Sequence, residues 1–168
     1  IDPKGCDWTK YRGAYGITPN IKELSDVAGF VINNNDSDIE RIGRKVRETF
    51  QIENIFVTRS EKGITCINKN GSAHCVSVAQ DVFDVSGAGD TVMAILAAAT
   101  AVNLDMMTAL ELANTAAGIA VSRVGTYPVG HTEMIDAWCG SNMMRTAYIP
   151  ISWEEAKSKV DAWKSQGE

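Results

Sequence analysis

At 168 residues, 45% of them hydrophobic and 22% charged, the chain has the size and mixture of one globular domain, which excludes wholesale disorder. Sixteen Lys and Arg against twenty-one Asp and Glu leave a net charge of −5, which argues against a nucleic-acid backbone or an anionic membrane as main partner. The longest uncharged run through the apolar middle, Thr91 to Leu104, is too short and too rich in Ala and Thr to span a bilayer.

Ile1 and Asp2 before Pro3 read as the end of a strand, and the absence of Met at position 1 suggests a piece of a longer protein. Gly16-Ile17-Thr18-Pro19-Asn20 reads as a second strand end, because Pro19 disfavours helix at Thr18. A helix is predicted from about Asn20, with Ile21, Leu24, Val27 and Ala28 at helical spacing. Asn33-Asn34-Asn35-Asp36 breaks it and supplies a cap for an amphipathic helix through Ile39, Ile42, Val46 and Phe50. Ile55-Phe56-Val57-Thr58 has the composition of a buried parallel strand. A hairpin follows: Gly63 to Asn68, a turn at Asn70-Gly71, and Ala73 to Val78. Asp81 to Val85 reads as a strand leading into Ser86-Gly87-Ala88-Gly89-Asp90, then an Ala-rich helix to about Ala101. A second long helix carries Met106, Ala109, Leu110, Ala113, Ala117, Ala120, Val121 and Val124 on one face and stops at Gly125. Thr132 to Trp138 is a further helical turn or two, and Gly140-Ser141-Asn142 reads as loop. Ile149-Pro150-Ile151 reads as extended, and Ser152 to Trp163 as a polar helix opened by a Ser152/Glu155 capping box. Strands alternating with helices predict an α/β layer fold with a largely parallel sheet.

Cys6, Cys66, Cys75 and Cys139 form no CxxC pair, and with only His74 and His131 they assemble no zinc-ligand set by spacing. Free thiols in a reducing cytoplasm are the simplest reading.

Asp84-Val85-Ser86-Gly87-Ala88-Gly89-Asp90 carries the strongest chemical signal. Glycines at a helix start let backbone N–H groups converge on one anion, and the helix dipole adds positive potential there. A carboxylate at Asp90, beside that anion hole, is placed to take a proton from a hydroxyl nucleophile. The same pattern would also suit a tightly packed helix N-terminus with an acidic residue in its first turn. It is neither GxGxxG nor GxxxxGK[ST], which disfavours dinucleotide and P-loop readings.

The segment resembles the D-[TV]-[TS]-G-A-G-D motif of the ribokinase (PfkB-type) family of sugar kinases. Three further motifs stand in the family's order: Asn20-Ile21-Lys22-Glu23 as N-x-x-E, Val57-Thr58-Arg59-Ser60-Glu61-Lys62-Gly63, and Ala113-Asn114-Thr115-Ala116-Ala117-Gly118. Within the family, Asp2-Pro3-Lys4-Gly5-Cys6-Asp7-Trp8-Thr9-Lys10-Tyr11-Arg12-Gly13-Ala14 resembles the heptose 7-phosphate kinases that form one half of bifunctional ADP-heptose synthases. The resemblance implies a ribokinase-like, Rossmann-like three-layer αβα fold, and a kinase using ATP and Mg²⁺. It implies Asp90 as general base, and Gly87, Ala88 and Gly89 as the anion hole for the moving γ-phosphoryl group. Asn20 and Glu23 would organise Mg²⁺ through water. Thr58, Arg59 and Gly63 would line the nucleotide site, with Arg59 free to pair with phosphate, and Asn114 would face the adenine. Lys4 either reaches the phosphates or is a solvated loop lysine; Asp84 either holds the loop or a monovalent cation.

Ser86 stands where many relatives of that family carry Thr, which keeps the hydroxyl. The family's sugar-binding residues and lid would precede Ile1, so the sequence carries base, anion hole and ATP site without the sugar pocket. The expected organisation is a nucleotide-binding part over 1–140 and a linker and helix over 141–168 toward a nucleotidyltransferase domain. The expected reaction transfers the ATP γ-phosphoryl to the anomeric hydroxyl of D-glycero-D-manno-heptose 7-phosphate, for lipopolysaccharide core, in the cytoplasm. The expected partners are ATP and a sugar phosphate, with no nucleic acid or membrane, and a homodimer is possible. Two alternatives stand beside it: a non-catalytic nucleotide-binding or assembly module, and a kinase of the same family acting on another sugar.

Overall fold

The computed structural model describes residues 1–79, 82–147 and 157. The chain divides into two compact units, Ile1–Met134 and Ile135–Glu168, and the first holds the sheet and every site residue named above. Its strands are β1 (Gly16–Ile17), β2 (Asn54–Thr58), β3 (Ile64–Asn68) and β4 (Gly71–Cys75), adjacent in that order. The helices are α1 (Ile21–Ala28), α2 (Asp36–Phe50), α3 (Ala88–Ala101), α4 (Met106–Val121) and α5 (His131–Ala147).

Local chemistry sets these boundaries. The Asn20 side chain accepts from the Glu23 N–H at 2.8 Å while the Glu23 carboxylate accepts from the Asn20 N–H at 2.9 Å, a reciprocal cap that starts α1. Gly29, left-handed at φ 79°, ends it. Asn35 caps α2 by accepting from the Asp38 N–H at 2.8 Å. With α1 and α2 between them, β1 and β2 pair in parallel. The connections from β2 to β3 and from β3 to β4 are too short for a crossover, so both those pairs are antiparallel. The sheet, expected to be largely parallel, is therefore parallel at β1–β2 and antiparallel from β2 to β4. Asn68 pairs with Gly71, which places the hairpin turn at Lys69-Asn70 and makes Gly71 the first residue of β4. On the other side of β1, the Ile1 amino group donates to the Gly16 carbonyl at 2.9 Å and the Thr18 N–H donates to the Ile1 carbonyl at 3.0 Å. Ile1 thus bonds alongside β1, although residues 1 and 2, expected as a strand end, form no strand.

Alternation along the strands divides the core into two. Ile55, Val57 and Ile67 face Leu24, Ile39, Ile42 and Val46 of α1 and α2. Phe56, Ile64 and Cys66 face Val92, Leu96, Ala109 and Leu110 of α3 and α4. The result is a helix–sheet–helix sandwich, the α/β layering expected from the sequence.

Three readings change. β4 ends at Cys75 rather than Val78, and residues 82–87 form an irregular turn rather than a strand, Asp81 lying outside the described residues. Gly140-Ser141-Asn142, expected in a loop, lie inside α5, of which Thr132 to Trp138 is only the first half. One helical glycine costs only about 1 kcal/mol, which the flanking helix formers offset. Apart from Lys157, the extended Ile149–Ile151 and the Ser152–Trp163 helix lie outside the described residues.

Candidate active site

The turn before α3 is built from both ends. Asp84 accepts from the Ser86 N–H at 2.9 Å and, through its other oxygen, from the Gly125 N–H at 3.0 Å. The Ser86 bonds, then Gly125, hold the Asp84 carboxyl below the usual carboxylate range. Gly87 is left-handed at φ 78°, and a Cβ there would stand 3.1 Å from the Thr126 methyl group. Thus the loop after α4 fixes the loop before α3, and Phe83 adds an N–H bond to the Val121 carbonyl at 2.8 Å.

That arrangement leaves the first turn of α3 open. The Ala88 N–H is drawn back to the Val85 carbonyl at 3.2 Å, and the Thr91 N–H bonds the Gly87 carbonyl. Among the described residues, the amides of Gly87 and Gly89 have no partner. Asp90 is exposed in this same turn. Chemically this is an anion cradle with a carboxylate beside it. Of the three amides predicted for the anion hole, Ala88's is engaged by the turn itself.

The N-x-x-E pair doubles as the α1 cap. Glu23 also accepts from Lys4 Nζ at 3.1 Å, and Lys4 bonds Asp2 at 2.8 Å. Asp2 first, then Glu23, raise the Lys4 pKa above its ordinary value. Lys4, Asn20 and Glu23 are therefore together, and Thr58 joins them: it bridges Asn20 across the strand ends and its N–H donates to the Pro19 carbonyl at 2.9 Å. Asp2 was not among the expected site residues; its place two residues before Lys4, separated from it only by Pro3, was the available signal. Among the described residues no three His, Cys, Asp or Glu side chains cluster as a metal site.

Gly63 and Asn114 converge on the segment leaving β4. Gly63 has φ 80°, and a Cβ there would lie 2.1 Å from the Cys75 carbonyl oxygen and 2.6 Å from the Ser77 nitrogen. The buried Asn114 amide donates to the Val76 carbonyl at 2.5 Å and toward the Cys75 sulfur at 3.7 Å. Its amide nitrogen thus ties α4 to the segment leaving β4.

Arg59, expected to be free for phosphate, is 1% exposed. Its Nε donates to Asn34 at 2.9 Å, and its Nη1 to Asp36 at 2.6 Å and Thr65 at 2.9 Å. Neither Asn34 nor Asp36 could be matched to Arg59 from the sequence, since the residues are far apart along the chain.

Residues 9–132 match the family described as pfkB family carbohydrate kinase. The chain belongs to that family. This pfkB chain is 40% identical over 168 residues to the bifunctional protein HldE of Methylobacillus flagellatus, covering 100% of itself and 34% of that protein. It is 44% identical over 169 residues to bifunctional protein HldE of Shewanella loihica, again covering 100% of itself and 35% of that protein. It therefore spans about a third of the length of these relatives. Among solved structures, phosphofructokinase-2 of Escherichia coli superimposes with a TM-score of 0.71 at 16% identity, covering 79% of this chain and 42% of that one. The pfkB fold expected from the motifs is thereby established, and the family is one of kinases. A non-catalytic assembly module is not favoured. Among the described residues, no helix is long and apolar enough to cross a membrane.

Proposed function

We propose that this chain supplies the nucleotide site and general base of an ATP-dependent kinase acting on the anomeric hydroxyl of D-glycero-D-manno-heptose 7-phosphate, in ADP-heptose supply for lipopolysaccharide core. The observation that carries the proposal is Asp90 standing exposed in the first turn of α3, beside the unpartnered amides of Gly87 and Gly89. The choice of sugar rests on the Asp2–Ala14 stretch and on 40% identity to a bifunctional HldE protein. On this reading residues 1–140 are the nucleotide-binding part, 141–168 lead toward a nucleotidyltransferase domain, and the enzyme works in the cytoplasm.

Asp90 takes the proton from the attacking hydroxyl at a carboxylate oxygen. The Gly87 and Gly89 amides, with the α3 dipole, hold the charge spread over the transferring oxygens. Asp84 keeps that turn in place by accepting from Ser86 and Gly125. Asn20 and Glu23 would hold Mg²⁺ through water. The residues fit that form, because each Glu23 oxygen has one partner here, the Asn20 N–H or Lys4, and keeps a further lone pair. Bound there, Mg²⁺ supplies charge neutralisation for the ATP phosphates. Thr58, Gly63 and Asn114 frame the nucleoside end.

Calorimetric titration with Mg-ATP, against Mg-GTP as control, tests the nucleotide site. In the full-length enzyme, Asp90→Asn should lower turnover on heptose 7-phosphate by about 10²–10⁴-fold and leave ATP affinity nearly unchanged. Wild-type turnover in that variant would overturn the assignment of the base.

A further inference from the structure

A fully buried guanidinium that takes no part in the proposed chemistry calls for another explanation, because burying an unpaired charge is very costly. Arg59 is bonded on several sides. Its Nε reaches Asn34 at 2.9 Å, and its Nη1 reaches Asp36 at 2.6 Å and Thr65 at 2.9 Å, with His74 Nδ1 at 3.5 Å. Asn34 returns the contact, its amide donating to the Arg59 carbonyl at 3.2 Å, so one side chain grips both ends of one residue. Lys62 Nζ donates to the Asn34 carbonyl as well. The loop between α1 and α2 is thereby fastened to the turn between β2 and β3.

That turn is held from its other side too. The Arg59 N–H donates to the Gly63 carbonyl at 2.8 Å, and Gly63 lies so near the backbone of Cys75 and Ser77 that no Cβ would fit there. Thr58, immediately before Arg59, is bonded to Pro19. The remaining guanidinium nitrogen, Nη2, has no partner among the described residues but is also out of reach of solvent. On the Nη1 side, the place a phosphate oxygen would take is held by the Asp36 carboxylate.

We propose that Arg59 is a positioning residue, not a phosphate ligand: through Asn34 and Asp36 it fixes the turn on which Thr58 and Gly63 stand. The proposal rests on the kinase reading where it concerns nucleotide, and on the geometry alone where it concerns the turn.

The test uses Arg59→Met, Arg59→Lys, Asp36→Asn and the Arg59→Met/Asp36→Asn double variant, all at a temperature where circular dichroism shows each folded. Asp36 has 71% of its side chain exposed, so Asp36→Asn perturbs the pair without opening the core. Amide hydrogen exchange at Arg59 and Gly63 should accelerate about tenfold in Arg59→Met and Asp36→Asn, with the double variant less than additive. Arg59→Met should weaken adenosine and Mg-ATP by the same factor, roughly three- to tenfold, with partial recovery in Arg59→Lys. Loss of Mg-ATP affinity with adenosine unchanged would show a direct phosphate contact and overturn the proposal. Unchanged exchange at both amides would also overturn it. Failure of the wild-type chain to bind either ligand would count against the kinase reading, and the exchange result alone would then decide the role of Arg59.

Discussion

Replacing Gly63 by alanine separates two effects that usually travel together. The first is conformational: at φ 80° and ψ −134°, Gly63 occupies a region that residues with a Cβ adopt only at a cost of about 1–3 kcal/mol. The second is steric, since the new methyl group would lie 2.1, 2.6 and 2.8 Å from the Cys75 oxygen, the Ser77 nitrogen and the Val76 carbonyl carbon. All three are backbone atoms and cannot rotate aside, so the chain leaving β4 must move by about an ångström, an overpacking cost of roughly 1–3 kcal/mol. The sum, about 2–6 kcal/mol, is a large part of the 5–15 kcal/mol typical of a folded domain. Gly5 supplies the control, because it has φ +77° with nothing within 4 Å of its virtual Cβ. Gly5→Ala therefore incurs only the backbone cost, about 1–2 kcal/mol. At roughly 2–4 °C per kcal/mol, Gly63→Ala should lower Tm by about 5–20 °C and Gly5→Ala by a few degrees. Thermal melts followed by circular dichroism read both. Melting of the two variants within about 2 °C of each other would refute the steric argument.

Asn114→Leu removes the amide donor to the partly buried Val76 carbonyl, so the urea midpoint should fall by the equivalent of about 0.5–1.5 kcal/mol; an unchanged midpoint would refute the assignment. Burial pushes the Cys66 thiol up to about 12, whereas an unfolded chain ionises near about 8.5. The folded state therefore holds the extra proton. Its contribution is fully present below the unfolded value and is lost as pH rises toward the folded one, so stability should decline through the alkaline range. Iodoacetamide at pH 8 should label Cys6 and Cys139 and spare Cys66 in the native protein; rapid labelling of Cys66 would contradict its burial.

The elements with local signals were legible before any coordinates. Asn20 and Asn35 announce their helices, and Ile39, Ile42 and Val46 repeat at helical spacing. Asn70-Gly71 marks a hairpin, though only the register shows that the turn lies at Lys69-Asn70. Contacts with partners remote in the chain were not legible. Arg59 looks like any charge after a strand until Asn34 and Asp36 close on it. Nothing near Asn114 in the sequence announces that its amide meets the Val76 carbonyl. The continuation of α5 through Gly140-Ser141-Asn142 was hidden for the opposite reason, since weak local breakers were given more weight than their energies justify. In the candidate site, the helix start at Gly87 and the first-turn place of Asp90 were readable because glycines at a helix start and an acidic residue just after them are local features. The support of that turn by Gly125 and Thr126 is not.

The core that α3 and α4 share includes Ala99, Ala109 and Ala113, residues with no side-chain rotamers to freeze, beside the already buried Val92, Leu96 and Leu110. The helix carrying Asp90 is thus mounted on a face whose disorder was removed when the chain folded, not when a ligand arrives. Nucleotide capture at its N-terminus should consequently carry little ordering entropy from this side of the sheet. Any conformational toll must then fall on whatever closes over the opposite side of the bound molecule.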